Sequence, residues 1–187
     1  KHYVLNVLDS EGVRYEKPKL KMMGISAVKS STPAICRDNI KKSIDILMNG
    51  NQEELFDFLD TAKENFMKAN PEDVMFPRGV NNLKKYADRD TLYTKGTPIH
   101  VKGSLLFNKY LVEKNLDKKY EKIEEGEKIK FCYLKQPNPI FDTVFAVKNV
   151  LPKEFGLEEF IDYEKQWEKA FLESVEDIVD ARGWKTK

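Results

Sequence analysis

The chain has 187 residues, 41% of them apolar and 34% charged, which suits one large folded domain or two small ones. No run of 18 apolar residues occurs, and this excludes an apolar membrane-spanning helix. With two histidines, two isolated cysteines, no CxxC and no HExxH, a zinc site or zinc protease has no support. Cys36 and Cys132 read as two buried thiols rather than a disulfide. The net charge of +1 hides segregation: residues 1–50 carry +4, 51–77 carry −5, 78–119 carry +6 and 150–180 carry −7. A basic patch can therefore exist on a nearly neutral protein, although such blocks also serve as plain solvated faces.

The chain starts at Lys1 inside a strand-like pattern, with no signal-peptide profile, and reads as a piece of a longer protein. Residues 3–9 (YVLNVLD) alternate and are β-rich, 10–12 (SEG) signal a turn, and 13–15 (VRY) resume a strand. With the short apolar stretch 20–25 (LKMMGI) they predict a small antiparallel meander. Thr32 then offers an N-cap and Pro33 a first helical position. Cys36, Ile40, Ile44 and Leu47 follow at helical spacing until Asn49-Gly50 stops the run. A second helix is predicted from Gln52 to Met67, with Leu55, Leu59, Ala62 and Phe66 on one face.

Residues 73–82 (DVMFPRGVNN) start strand-like and turn into a polar loop. A helix opens at a second Thr-Pro pair, in residues 97–115. Residues 127–134 and 142–150 are strand candidates, the first with Ile129, Phe131 and Tyr133 on one face. The last segment is acidic and helical, with Phe160, Tyr163, Trp167 and Phe171 on one stripe. Residues 33–187 thus read as one helix-rich unit containing a small sheet.

No catalytic constellation is visible. Ser30 and Ser31 have no neighbouring histidine as base, and His100 is the only candidate base. Anion binding is better supported. Lys29, Ser30, Ser31 and Thr32 precede a helix whose first amides have no intrahelical acceptor. Those amides and the positive end of the dipole favour an anion. Residues 97–103 repeat the arrangement with Thr97, His100 and Lys102. Between the two lies RGVNNLKKY (78–86), whose cations, amides and aromatic suit a sugar-phosphate backbone. Lys84 and Lys119 read as plain surface charge, and Trp167, Phe171 and Trp184 as packing.

These stretches stand in a familiar order. KHYVLNVLDSEGVRY, LKMMG, KSSTP, VNNLKKY, PIHVKG with FN, EEGEKIKFCYL with NPIFD, and DYEKQWEKAF together resemble the C-terminal part of T-even-type phage family B DNA polymerases. Lys1 and Tyr3 match the second lysine and the tyrosine of a Lys-Lys-x-Tyr motif, and His2 takes its variable place. Lys102 stands where the family's P-x-H-I-R-G helix has arginine.

The resemblance implies an α+β chain: small antiparallel palm-edge strands, residues 1–31, then a helix-rich thumb with a small sheet, residues 32–187. It implies a grip on primer-template duplex DNA behind a polymerase active site. Lys1 and Tyr3 would lie along the minor groove, whose acceptors are nearly alike for every base pair. Lys29, Ser30, Ser31 and Thr32 would hold primer phosphates. Asn82, Lys85, Tyr86, His100 and Lys102 would form the thumb's backbone grip.

The family's metal-binding palm motifs, D-x-x-SLYPS and DTDS, are not in this sequence. The two Mg2+ ions of the complete polymerase therefore have no ligands here, no cofactor is expected in the fragment, and it is expected to be inactive alone. Expected partners are the exonuclease, fingers and catalytic palm. The sliding clamp would join only through a tail absent here. The expected location is the cytoplasm of an infected bacterial host, with no membrane contact. Three alternatives stay open: a stand-alone nucleic-acid-binding module, the C-terminal subunit of a naturally split polymerase, and a protein-interaction scaffold.

Overall fold

A computed structural model describes residues 3–185, so Lys1 and His2 lie outside the described residues. The architecture is α+β, with small antiparallel sheets. It divides into two compact units, residues 1–68 with 167–187, and residues 69–166. No helix among the described residues is long and apolar enough to cross a membrane.

The first unit opens with a hairpin of β1 (Tyr3–Ser10) and β2 (Val13–Met23). Glu11 and Gly12 both take positive φ, 53° and 81°, as a two-residue hairpin turn requires. The expected meander is one long hairpin instead. Residues 13–15 and 20–23 belong to a single strand, and Pro18 falls where the register slips between Val7 and Asp9. A proline there costs no ladder hydrogen bond. Two helices follow, α1 (Ala34–Asn49) and α2 (Gln52–Met67). Cys36, Ile40, Ile44 and Leu47 are all buried on α1, as their spacing predicts. On α2, Leu55, Ala62 and Phe66 are buried, while Leu59 stays half-buried.

The second unit begins with the turn α3 (Pro71–Val74) and strand β3 (Phe76–Gly79). The stretch expected as a polar loop contains a helical turn, α4 (Leu83–Tyr86). The carboxylate of Glu125 makes that turn possible by accepting the amides of Asn82 and Leu83. A short ribbon of β4 (Ala87–Asp88) and β5 (Leu92–Tyr93) leads to α5 (Ile99–Glu113). Strands β6 (Lys128–Tyr133) and β7 (Val144–Val147) complete a three-stranded antiparallel sheet in the order β3-β6-β7. Helix α5 packs closely on β7 through Gly103, where a Cβ would stand 3.0 Å from both the Phe145 carbonyl carbon and the Ala146 nitrogen.

The last helical run starts at α6 (Tyr163–Trp167), continues through a π-helical turn over Glu168–Leu172 and ends as α7 (Glu173–Ala181). Phe160 lies outside it, in a separate 3-10 turn, so the expected four-aromatic stripe is corrected. Within the second unit, Gln166 is fully buried and joins two strand ends: its Oε1 accepts from Tyr133 N at 2.9 Å and its Nε2 donates to Val74 O at 2.7 Å. Within the first, Trp167 stacks on Phe171 and meets Phe66 edge-on. Val175 and Val179 of α7 face Ile44 and Leu47 of α1. Both cysteines are free and buried, and burial pushes each thiol up to about 12.

Candidate nucleic-acid interface

In the first unit, the sequence KSSTP forms a tight turn ahead of α1. Lys29 N bonds Ser26 O at 3.2 Å, and Thr32 N bonds Lys29 O at 3.2 Å. Lys29 and Ser30 are exposed, Ser31 is half-buried, and Thr32 is only 7% exposed. The expected cap is corrected by one residue. Pro33 is the N-cap, because its carbonyl accepts the first helical bond from Arg37 N at 3.0 Å, and no side chain caps the helix. Thr32 is drawn inward instead, since an extended Pro33 (ψ 142°) separates it from the helix. Helix α5 starts the same way: Pro98 is its N-cap, and the Thr97 hydroxyl donates to Thr94 O rather than to the helix. By contrast, Asn51 caps α2 by accepting from Glu54 N at 2.9 Å. Two Thr-Pro starts thus leave helix amides uncapped by side chains, where a dipole favours an anion.

Arg37 was not singled out by its sequence context. One turn into α1, it buries its Nε with no hydrogen-bond partner among the described residues. Such a group is rare enough to require an explanation. Tyr3 is half-buried on β1, and Lys1 lies outside the described residues.

In the second unit, Asn82, Lys85 and Tyr86 share the α4 turn, with Lys85 Nζ 5.3 Å from the centre of the Tyr86 ring. Asn82 adopts a left-handed backbone, φ 66°, and its amide is taken by Glu125. His100 and Lys102 lie in the first turn of α5. Lys102 is held by neighbours the sequence did not announce. Its Nζ lies 2.9 Å from Asp142 Oδ1, and Tyr93 donates its hydroxyl to the other carboxylate oxygen at 3.0 Å. The ammonium also sits 4.8 Å from the centre of the Tyr93 ring. The Asp142 and Tyr93 hydrogen bonds and charges raise its pKa against the opposing effect of burial, which is the largest single influence. Lys102 is therefore a firmly charged but partly neutralised cation. Asn138 fixes the loop bearing Asp142: its Nδ2 donates to Lys135 O and Asp142 O.

His100 faces a different environment. Its ring lies 6.4 Å from that of Phe131, and the Arg78 guanidinium sits over Phe131 and Phe76 at 5.5 and 5.6 Å. Burial first, and then the Arg78 charge, hold His100 below the ordinary 6.5. Near neutrality its ring is uncharged. The unfolded chain takes up a proton near 6.5, before the folded one does, so this contribution to stability is complete above that pH and fades as pH falls through the folded value. The urea midpoint should drop as pH falls from above 6.5 to below it, and His100→Gln should flatten that drop. A variant with the same pH profile as the parent would assign the drop to other groups.

No protein-family profile matches the chain. Two relatives do. The DNA-directed DNA polymerase of Escherichia phage RB69 is 30% identical over 186 residues, 97% of this chain and 20% of the relative. That of Enterobacteria phage T4 is 25% identical over 187 residues, 98% of this chain and again 20% of the relative. The chain is related to a segment of the T-even phage DNA polymerases. It spans about a fifth of the length of these polymerases. The aligned span takes in KSSTP, the α4 turn and the start of α5, because it covers nearly every residue.

Proposed function

We propose that the chain is the primer-template-holding part of a family B DNA-directed DNA polymerase, with residues 1–31 as palm edge and 32–187 as thumb. The observation that carries this reading is the start of α1, uncapped by any side chain, directly behind exposed Lys29 and Ser30. A phosphate there would meet free amides, a hydroxyl and an ammonium together. Asn82, Lys85, Tyr86, His100 and Lys102 form the second grip, and Tyr3 with Lys1 follows the minor groove. The catalytic metal ligands belong to another part of the polymerase. The chain alone is expected to hold duplex DNA without extending it, inside an infected bacterium.

Duplex binding measured by anisotropy across a salt series tests the reading. If about four phosphates are neutralised, log affinity falls against log salt with a slope near −3.6. Lys29→Ala should reduce that slope by roughly 0.9 and weaken all duplex sequences alike. A sequence preference that vanishes in this variant would instead place Lys29 on a base edge. Mixing the chain with a separate upstream polymerase fragment tells a polymerase part from a stand-alone module, since only the former restores primer extension.

Asp142→Asn provides a prediction of mixed sign. It removes the carboxylate that partly neutralises Lys102, so unfolding stability should fall by about 1–3 kcal/mol. The released ammonium should steepen the salt slope by roughly 0.9. If stability falls and the slope does not move, Lys102 is a structural cation and leaves the list of phosphate contacts.

A further inference from the structure

Duplex DNA gives no role to the acidic helices of the first unit, and one of them borders a hollow. Gln52, Phe56, Leu59 and Lys63 of α2 line one side of a cavity of about 730 Å³, and Trp167 and Leu172 line it as well, all within that unit. The four α2 positions are spaced four, three and four residues apart, the repeat along which one helix packs on another. Phe56 and Leu59 form the apolar centre of this seam and are half-buried. Leu59 falls short of full burial because it borders the hollow as well as the core. A second hollow of about 500 Å³ adjoins the first at Lys185, which lines both. Glu176, Asp180 and Trp184 line this part, so the two tryptophans of the chain both border one trough.

The trough is apolar at its floor and acidic along its rim. Asp60 lines it and stands on a stripe of α2 with Glu53, Asp57 and Glu64, and all four are exposed. With Glu176 and Asp180 these make six carboxylates. Three cations stand against them: Lys63 and Lys185 on the lining, and Arg182, 5.7 Å from the centre of the Trp184 indole.

We propose that this trough is the docking site for a basic amphipathic helix of another protein, its large apolar side chains in the hollow and its lysines or arginines along the acidic stripe of α2. The inference is independent of the duplex-holding reading. The seam spacing on α2 suits a helix, the usual occupant of an apolar groove. The volume takes several large side chains, since pockets of roughly 300–1,000 Å³ seat drug-sized ligands. The carboxylate excess attracts cations on the partner and opposes a polyanion such as DNA.

The test uses the full chain and a synthetic tryptophan-free peptide of about 18 residues, roughly 27 Å of helix, with Leu and Phe on one face and Lys on the other. Binding should change the emission of Trp167 and Trp184, the only tryptophans in the mixture, with half-saturation below about 0.1 mM. A scrambled peptide of the same composition, which has no apolar face, should bind about tenfold more weakly. Asp60→Lys/Glu64→Lys should weaken binding by on the order of tenfold, and a twin peptide with Glu in place of Lys should bind this variant better than the parent. Both residues are exposed, so the thermal midpoint should stay at the parent value and loss of binding would not be loss of fold. Asp38→Lys/Asp45→Lys, at exposed positions of α1 outside the lining, should leave binding unchanged. Equal loss in the α1 and α2 variants, or equal binding of the scrambled peptide, would reduce the effect to general charge attraction and overturn the site. No change in emission up to that concentration would overturn it too, as would self-association of the parent chain that Phe56→Ala abolishes. A chain that takes the peptide but no duplex would leave this site standing while the duplex-holding reading falls.

Discussion

Gln166→Leu is expected to lower the stability of the second unit by about 2–5 kcal/mol, measured as a shift in urea midpoint. The side chain is fully buried and makes one bond of each kind, accepting from Tyr133 N and donating to Val74 O. Leucine fills much the same space but supplies neither partner. Each orphaned backbone group then bears a desolvation cost of about 1–3 kcal/mol, and the added apolar contact offsets only part of it. Gln166→Glu separates lost bonding from lost shape. The carboxylate can still accept from Tyr133 N but repels Val74 O, and burial penalises its charge. Its carboxyl should titrate well above an ordinary glutamate, so this variant regains stability as pH falls and the acid gains a proton to donate. A Glu variant no more sensitive to pH than the parent would mean that the site admits water.

Much of the first unit was readable from local pattern. The spacing of Cys36, Ile40, Ile44 and Leu47 is a helix face because burial on a helix repeats near 3.6 residues, and all four are buried. Ser10-Glu11-Gly12 was a turn because glycine accommodates positive φ. The single long second strand was not legible, because Pro18 interrupts its pattern and is tolerated only by a register slip that the sequence does not mark. Thr32 misled the reading, since a threonine before proline has the composition of a cap, while Pro33 took the position. The candidate site was legible in its residue types and not in its partnerships. Lys102 meets Asp142 forty residues later, and Glu125 takes amides at Asn82 and Leu83 from the far side of α5 in sequence. No periodicity encodes such pairs, because loop closure brings them together.

Gly103→Val should cost about 3 kcal/mol and weaken duplex binding even where the variant remains folded. Gly103 is buried on α5, and a Cβ placed on it would stand 3.0 Å from backbone atoms of Phe145 and Ala146 and 3.1 Å from the Ala146 Cβ. The obstacles are strand backbone at the edge of a packed sheet, which cannot swing aside as a flexible side chain would. Gly103→Ala balances two effects of similar size. Losing a helical glycine favours folding by about 0.8–1.0 kcal/mol, while the single methyl overpacks the contact by about 1–3 kcal/mol. The net should be a small destabilisation. Valine adds two further methyl groups at the same crossing and gains less helix propensity, so overpacking wins clearly. The helix must then lift from β7, and it carries His100 and Lys102 in its first turn, so both leave the positions set by Arg78, Phe131 and Asp142. Urea melts and the duplex salt series on Gly103→Ala and Gly103→Val decide the matter. A valine variant as stable as the alanine one would show that α5 is free to slide over the sheet, and would remove the reason for a glycine at this crossing.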